Sequence, residues 1–200
     1  MQVLSLLKKY NIPLKYDLGA EIGYGADGQV FELLKDNNRV IKLSILYDYS
    51  DQDIDDCYDQ IVKTLSYIQE HRPDPCVRVY EHGCLYRGQR ETYIGTQDFI
   101  IYYYVMEKLN KISEDEKKVF HSIISHEDLG IKKNFSESVL KDMLVGMGRG
   151  LDFDMEKVLL FHNNTRNSKV RHNDIHVRNI MKTDAGDFRL IDFDRVKIGG

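Results

Sequence analysis

What this chain has little of narrows its class first. Only three of its 200 residues are cysteine, and Cys57, Cys76 and Cys84 form no CxxC pair. An odd, unpaired set argues against a disulfide framework and points to a reducing, cytoplasmic setting. Cys76, His82 and Cys84 lie close in sequence, but no second pair of zinc-type ligands follows, so buried thiols beside a turn are expected rather than a metal site. Prolines also number three, and neither a low-complexity tract nor an internal repeat interrupts the chain. Long apolar runs are missing. The opening MQVLSLLKKY is broken by lysines and too short for a signal peptide. The most apolar stretch, Phe99 to Met106, falls far short of a membrane span, so no membrane is expected as a partner. Positive charge is not in excess either. Twenty-eight Lys and Arg against 32 Asp and Glu leave a net charge of −4, which speaks against nucleic acid.

What is present is an ordinary folding composition, 42% hydrophobic and 30% charged, long enough for one compact unit or two small lobes. Val3, Leu6, Leu7 and Tyr10 have helical spacing, stopped at Pro13. Gln29–Leu34 and Arg39–Ser44 read as strands joined by an Asp/Asn turn at Lys35–Asn38. A helix is predicted from Asp51 to Glu70, where Ile54, Tyr58, Ile61, Val62, Leu65 and Ile68 recur every three or four residues. Short strands follow at Val77–Tyr80, Cys84–Tyr86 and Phe99–Met106, with Arg87 to Asp98 read as an exposed connecting loop. Ser113-Glu-Asp-Glu116 predicts a capped helix through Ile124. Ser136–Gly146 and Asp154–His162 also read as helices. A small hairpin, Asn179–Lys182 and Phe188–Ile191, turns at Asp184–Asp187. A strand-rich first half thus meets a helical second half near Met106–Leu109.

Three patterns carry chemistry. Gly23-Tyr-Gly25-Ala-Asp-Gly28-Gln-Val30 leads into a strand rather than a helix, which excludes a dinucleotide-binding turn and suits a glycine flap over phosphates. Val40-Ile41-Lys42 follows in the next strand, where an ammonium can serve phosphates as a point charge. Val170-Arg-His172-Asn-Asp174-Ile-His176-Val-Arg178-Asn179 precedes Leu190-Ile-Asp192-Phe193-Asp194.

In this last pair, in the order of the whole set, and in Val105-Met-Glu-Lys-Leu109 between, the chain resembles the protein-kinase superfamily from about Ile22 to Phe193. The resemblance implies an α+β, bilobal protein-kinase-like fold. It would have an antiparallel-sheet N-lobe over 1–106, a hinge at 107–110 and a small, mainly helical C-lobe over 111–200 that lacks the later helices. It implies ATP and Mg²⁺ as cofactors and transfer of the γ-phosphate to a hydroxyl. Asp174 would take the acceptor's proton, Asn179 and Asp192 would hold Mg²⁺, and Lys42 would grip the α- and β-phosphates. Gly23, Gly25 and Gly28, with Val30 after them, would cover the nucleotide. Met106 would back the adenine pocket, and the backbone of Glu107 and Leu109 would bond the adenine edge. His172 would support the loop.

Departures from the pattern shape the expectation further. Asn173 stands where the family has arginine, which removes switching by an activation-loop phosphate. His176 replaces the lysine of Ser/Thr kinases, while Arg178 matches tyrosine-kinase loops and would bring positive charge to the γ-phosphate. Asp194 replaces the glycine of DFG. His172-Asn-Asp174 also resembles aminoglycoside and choline kinases, so a small-molecule kinase stays open beside one acting on protein Ser/Thr or on itself. A nucleotide-binding pseudokinase working through a protein partner is the third reading. The predicted helix has no glutamate to pair with Lys42 before Glu70, which leaves Asp59, then Asp56 and Asp55. The sequence ends eight residues past Asp192, so the expected acceptor contacts are the helices between Ser113 and His162, or an activating partner.

Overall fold

The computed structural model describes residues 3–25, 28–48, 53–93, 95–128, 137–148, 150–172, 174–194 and 196–199. They divide into two units. One is Met1–Arg72 with Arg78–Lys108, the other Pro73–Val77 with Leu109–Gly200. Each combines helices with antiparallel strands, an α+β make-up.

The first unit is a five-stranded sheet between helices. Its strands are β1 (Leu18–Tyr24), β2 (Gly28–Leu33), β3 (Asp36–Tyr47), β4 (Val79–Thr92) and β5 (Gly95–Glu107), in the order β1-β2-β3-β5-β4. All pairings are antiparallel. Alternation sorts the side chains. Ile41, Leu43 and Ile45 of β3 join Phe99, Ile101, Tyr103 and Val105 of β5 in a core with Val3, Leu6 and Leu7 of α1 (Val3–Lys9). Residues of opposite parity, Lys42, Ser44, Tyr102 and Tyr104, face the other side. There Tyr58 of α2 (Ile54–His71) meets the Tyr102 ring at 5.8 Å. With both faces covered, Phe99–Met106 of β5 is buried throughout.

Helix α2 starts where Asp53 caps the Asp55 amide at 2.8 Å, and its first turn carries Asp55 and Asp56 at the positive end of the dipole. It ends at Arg72, whose φ of 48° breaks the helix just before Pro73. Predicted residues 51 and 52 lie outside the described residues.

Two sequence expectations need correction. The turn between β2 and β3 is Leu34–Lys35, with Leu33 opposite Asp36, so β3 takes in Asp36, Asn37 and Asn38 of the residues read as the turn. More substantially, Arg87–Asp98 is not a connecting loop but the outer half of the β4–β5 hairpin, with Arg90 opposite Gln97 and Thr92 opposite Gly95. No buried apolar face marks it, because cross-strand contacts hold it instead. Arg90 Nε donates to Gln97 at 2.9 Å and its guanidinium lies 3.9 Å from the Tyr47 ring. Gly95 takes the positive φ of 124° that the reversal requires.

In the second unit α3 (Glu114–Asp128), α4 (Glu137–Met147) and α5 (Met155–Asn167) accompany five short strands. These are β6 (Asn110–Lys111), β7 (Val170–His172), β8 (Ile180–Lys182), β9 (Phe188–Leu190) and β10 (Val196–Ile198). The α3 capping box forms as its sequence predicts. Ser113 Oγ accepts from the Glu116 amide at 3.2 Å, and Glu116 accepts from the Ser113 amide at 2.7 Å. Glu116, buried, also receives Lys182 of β8 at 2.8 Å. Ser136, the predicted start of α4, lies outside the described residues. Helix α5, capped by Asp154, runs five residues past the predicted end at His162. Phe120 of α3 packs edge-on against Phe161 at 5.3 Å and Phe188 at 4.8 Å. Segment 73–77 is held by the β9 end: the Leu190 amide donates to the Pro75 carbonyl at 2.8 Å, and Val77 donates back to Leu190 at 2.9 Å.

Cys57, Cys76 and Cys84 form no disulfide. Among the described residues, no helix is long and apolar enough to cross a membrane.

Candidate functional site

In the first unit the predicted residues converge around Lys42. Strand β3 is central, so Lys42 is flanked by Val30 on β2 and Tyr104 on β5. Its side chain is 7% exposed, with Nζ 5.7 Å from the Tyr104 ring centroid. It is not the solvent-facing lysine of an edge strand. Met106, buried opposite Val40, shares its face of the sheet.

The three glycines do different things. At Gly23 and Gly25 a side chain would find space, the nearest atoms being Val30 Cβ at 3.4 Å and the Gly28 carbonyl at 3.9 Å. At Gly28 a Cβ would sit 2.6 Å from the Leu43 carbonyl oxygen, 2.9 Å from Ser44 Oγ and 3.2 Å from Lys42 Cε. Gly28 lets β2 close over β3 and confines the Lys42 stem, a packing role that the motif's spacing does not reveal. Ser44 Oγ, directly below it, is fully buried with no hydrogen-bond partner among the described residues. Nothing but the alternation of β3 marked Ser44 or Tyr104 as neighbours of Lys42.

Glu107 closes β5, and its amide is taken by the Arg78 carbonyl at 3.0 Å. A ligand contact there falls to its carbonyl. Leu109 belongs to the second unit. The carboxylates considered as partners for Lys42 stand off the buried stripe of α2. Asp59 and Asp56 are exposed and Asp55 pairs with Arg87. The buried stripe of α2, namely Tyr58, Ile61, Thr64, Leu65 and Ile68, carries no carboxylate. Helical phase decides this, because aspartates at 55, 56 and 59 fall outside that stripe.

In the second unit Asp174, Asn179 and Asp192 share one hydrogen-bonded frame. The frame is centred on Ile191, whose amide donates to the Asn179 carbonyl at 2.9 Å and whose carbonyl faces His172 Nε2 at 2.9 Å. His172 Nδ1 lies 3.4 Å from the Asp174 amide. That pairing sets the tautomer, with Nε2 carrying the hydrogen and Nδ1 accepting. Asn179 Nδ2 donates to the Asp174 carbonyl at 3.0 Å, which leaves Oδ1 as the end available to another group. Val177–Asn179 form one 3-10 turn, begun where His176 Nδ1 accepts from the Arg178 amide at 3.2 Å. His176 Nε2 lies 3.8 Å from the Asp174 carboxylate. The Arg178 side chain is exposed. Asp192 adopts a left-handed φ of 68°, a conformation that aspartate tolerates better than most residues. Next to it Phe193 is fully buried, edge-on to His172 at 6.1 Å. Asn173 lies outside the described residues.

Among the described residues no group of three or more His, Cys, Asp or Glu forms a metal cluster. The hard oxygens of Asn179 and Asp192 fit a magnesium ion that takes most of its shell from phosphates and water.

No family model matches the chain. Among solved structures it is similar to WbdD, with a TM-score of 0.45 and 16% identity over 92% of this chain and 34% of that one. A co-crystal structure of WbdD with the kinase inhibitor LY294002 gives 0.43 and 17% over 88% of this chain and 32% of that one. The chain therefore spans about a third of the length of these structures.

Proposed function

We propose that the chain binds ATP with Mg²⁺ and transfers the γ-phosphoryl group to a hydroxyl, on a protein Ser or Thr or on itself. The observation that carries this reading is the frame around Ile191, which joins a candidate base, Asp174, to two candidate metal ligands, Asn179 and Asp192. Phosphoryl transfer asks for that kind of scaffold, since it depends on positioning and charge cancellation more than on covalent chemistry. The acceptor oxygen bonds to the γ-phosphorus as the bond to the β–γ bridging oxygen breaks. ADP leaves with that electron pair, and the acceptor's proton passes to the Asp174 carboxylate. Bound magnesium supplies positive charge along the phosphates, and Asn179 Oδ1 and the Asp192 carboxylate would hold it. Arg178 would add a cation on the γ-phosphate side.

The first unit's contribution would be nucleotide binding. Lys42 offers an ammonium to the α- and β-phosphates. Gly23 and Gly25, open where side chains would stand, offer backbone. Val30, Met106 and Glu107 would receive the adenine. A cytoplasmic setting, where thiols stay reduced, belongs to this reading.

Incubation with γ-labelled ATP and Mg²⁺ against candidate proteins and the chain itself tests it. Label should appear with wild type and vanish with Asp174→Ala; equal labelling by both would refute the proposal. The altered DFG motif, with Asp194 in place of glycine, favours a second reading, a pseudokinase working through a protein partner. A cellular effect that survives Asp174→Ala combined with Asp192→Ala would select that reading.

A further inference from the structure

One groove in the second unit has no part in the roles assigned so far. It measures about 480 Å³ and lies open along α3, between Glu114, Lys117, Lys118, His121 and Ser125 of that helix and Val177 of the 3-10 turn. The helical residues recur at three- and four-residue steps, so they form one stripe, roughly 16 Å long at the helical rise. Val177 stands three residues after Asp174 in the turn whose end, Asn179, is bonded back to the Asp174 carbonyl. The groove's wall is therefore the candidate catalytic loop itself.

We infer that this groove holds an acidic, extended polypeptide segment and presents its hydroxyl towards Asp174. The naming of the acceptor rests on the kinase reading above; the binding does not. Shape favours a polypeptide, because small-molecule sites are concave and enclose most of their ligand. This one is an open trough, about as long as five extended residues. Charge selects the kind of segment. Among the described lining residues, Lys117, Lys118 and the His121 imidazole stand against one carboxylate, Glu114. Among the described residues the lysines are engaged by neighbours on their own helix, Glu114 at 2.5 Å and Asp115 at 2.9 Å. Glu114 is 80% exposed and the Lys118 side chain 63%. Such exposed pairs are weak, so an incoming carboxylate exchanges for them at little cost. Asp115 keeps a second partner, the Asp152 amide at 3.2 Å, when Lys118 turns away. The whole chain carries −4, so any preference for an acidic peptide must be local.

The experiment uses the full chain without nucleotide and two fluorescein-labelled peptides, a serine flanked by Asp and Glu and its twin flanked by Lys. Fluorescence anisotropy should show the acidic peptide binding about tenfold more tightly, with the difference shrinking as salt rises past about 0.15 M. Lys117→Glu with Lys118→Glu should reverse the order of the two peptides. Lys117→Gln with Lys118→Gln, which keeps good helix formers, should abolish the difference and guards against misfolding of the reversal. Equal binding of both peptides by wild type, no binding at millimolar peptide, or unchanged preference in a folded charge variant would each overturn the inference. A parallel Mg-ATP melting shift keeps the two claims separate. Peptide preference without a nucleotide shift retains the groove and removes the kinase reading, and the converse retains the kinase reading and removes the groove.

Discussion

Gly25 and Gly28 are the same residue with opposite obligations. A methyl group at Gly28 would meet the Leu43 carbonyl oxygen at 2.6 Å, whereas at Gly25 its nearest neighbour is 3.9 Å away. Gly28→Ala should cost about 1–3 kcal/mol through overpacking, and Gly25→Ala should stay within about 0.5 kcal/mol. Urea unfolding of the pair measures both. Gly25→Ala retains a use under the kinase reading, because it alters the flap without weakening the sheet. His172 provides the other residue-scale case. Its two ring nitrogens serve the Ile191 carbonyl and the Asp174 amide, so His172→Ala leaves two backbone groups without these partners. A loss of about 1–3 kcal/mol is expected in urea. His172→Asn, which can replace at most part of this bracket, should fall between wild type and alanine.

Single elements are tied down by polar contacts that periodicity does not show. The segment before β1 is clamped to the sheet through Glu81 of β4, whose carboxylate accepts from Lys15, from Tyr16 Oη at 2.6 Å and from Tyr103 Oη at 2.5 Å. Burial alone would raise the Glu81 carboxyl, but Lys15 and the two phenols outweigh it and hold the pKa down to about 2, from an ordinary 4.5. A carboxyl lowered on folding stabilises fully above its unfolded value and stops doing so as pH falls through the folded one. The clamp's contribution should therefore be intact above pH 4.5 and lost towards pH 2. Measured by denaturation across that interval, the stability gap between wild type and Glu81→Gln should close as pH falls. A constant gap would assign the effect to packing. The β4–β5 hairpin makes a similar point. Arg87 to Asp98 reads as a loop because neither of its faces is buried, yet ladder bonds and the Arg90 contacts make it a ribbon.

At the scale of the molecule, ligand binding must appear as stability. If the chain binds Mg-ATP in its native state, a concentration a hundred times the Kd adds about 2.7 kcal/mol. For a protein of this size that corresponds to a rise in melting temperature of roughly 5–10 °C. Asp192→Ala should remove the part of the shift that depends on Mg²⁺, read against the variant's own melting point without ligand, which the left-handed φ of 68° at this position should lower. A shift identical with and without Mg²⁺ would count against the metal roles of Asn179 and Asp192.

Much of this architecture was written locally. The α3 box at Ser113 and Glu116, the stripe from Tyr58 to Ile68, the hairpin turning at Asp184–Asp187 and the spacing of His172, Asp174 and Asn179 all follow from neighbours a few residues apart. The sequence alone could determine these because caps, helical periods, turns and loop spacings are short-range properties of the backbone. Tertiary structure decided the rest. Only the register of β3 on β2 makes Gly28 a packing residue and puts Val30 and Tyr104 beside Lys42. The phase of α2 against the sheet turned its aspartates outward, and only the approach of Ile191 to His172 and Asn179 joins the loop to Asp192. Those are contacts between strands and loops distant in sequence, set by which faces are buried together, and no window of neighbouring residues contains them.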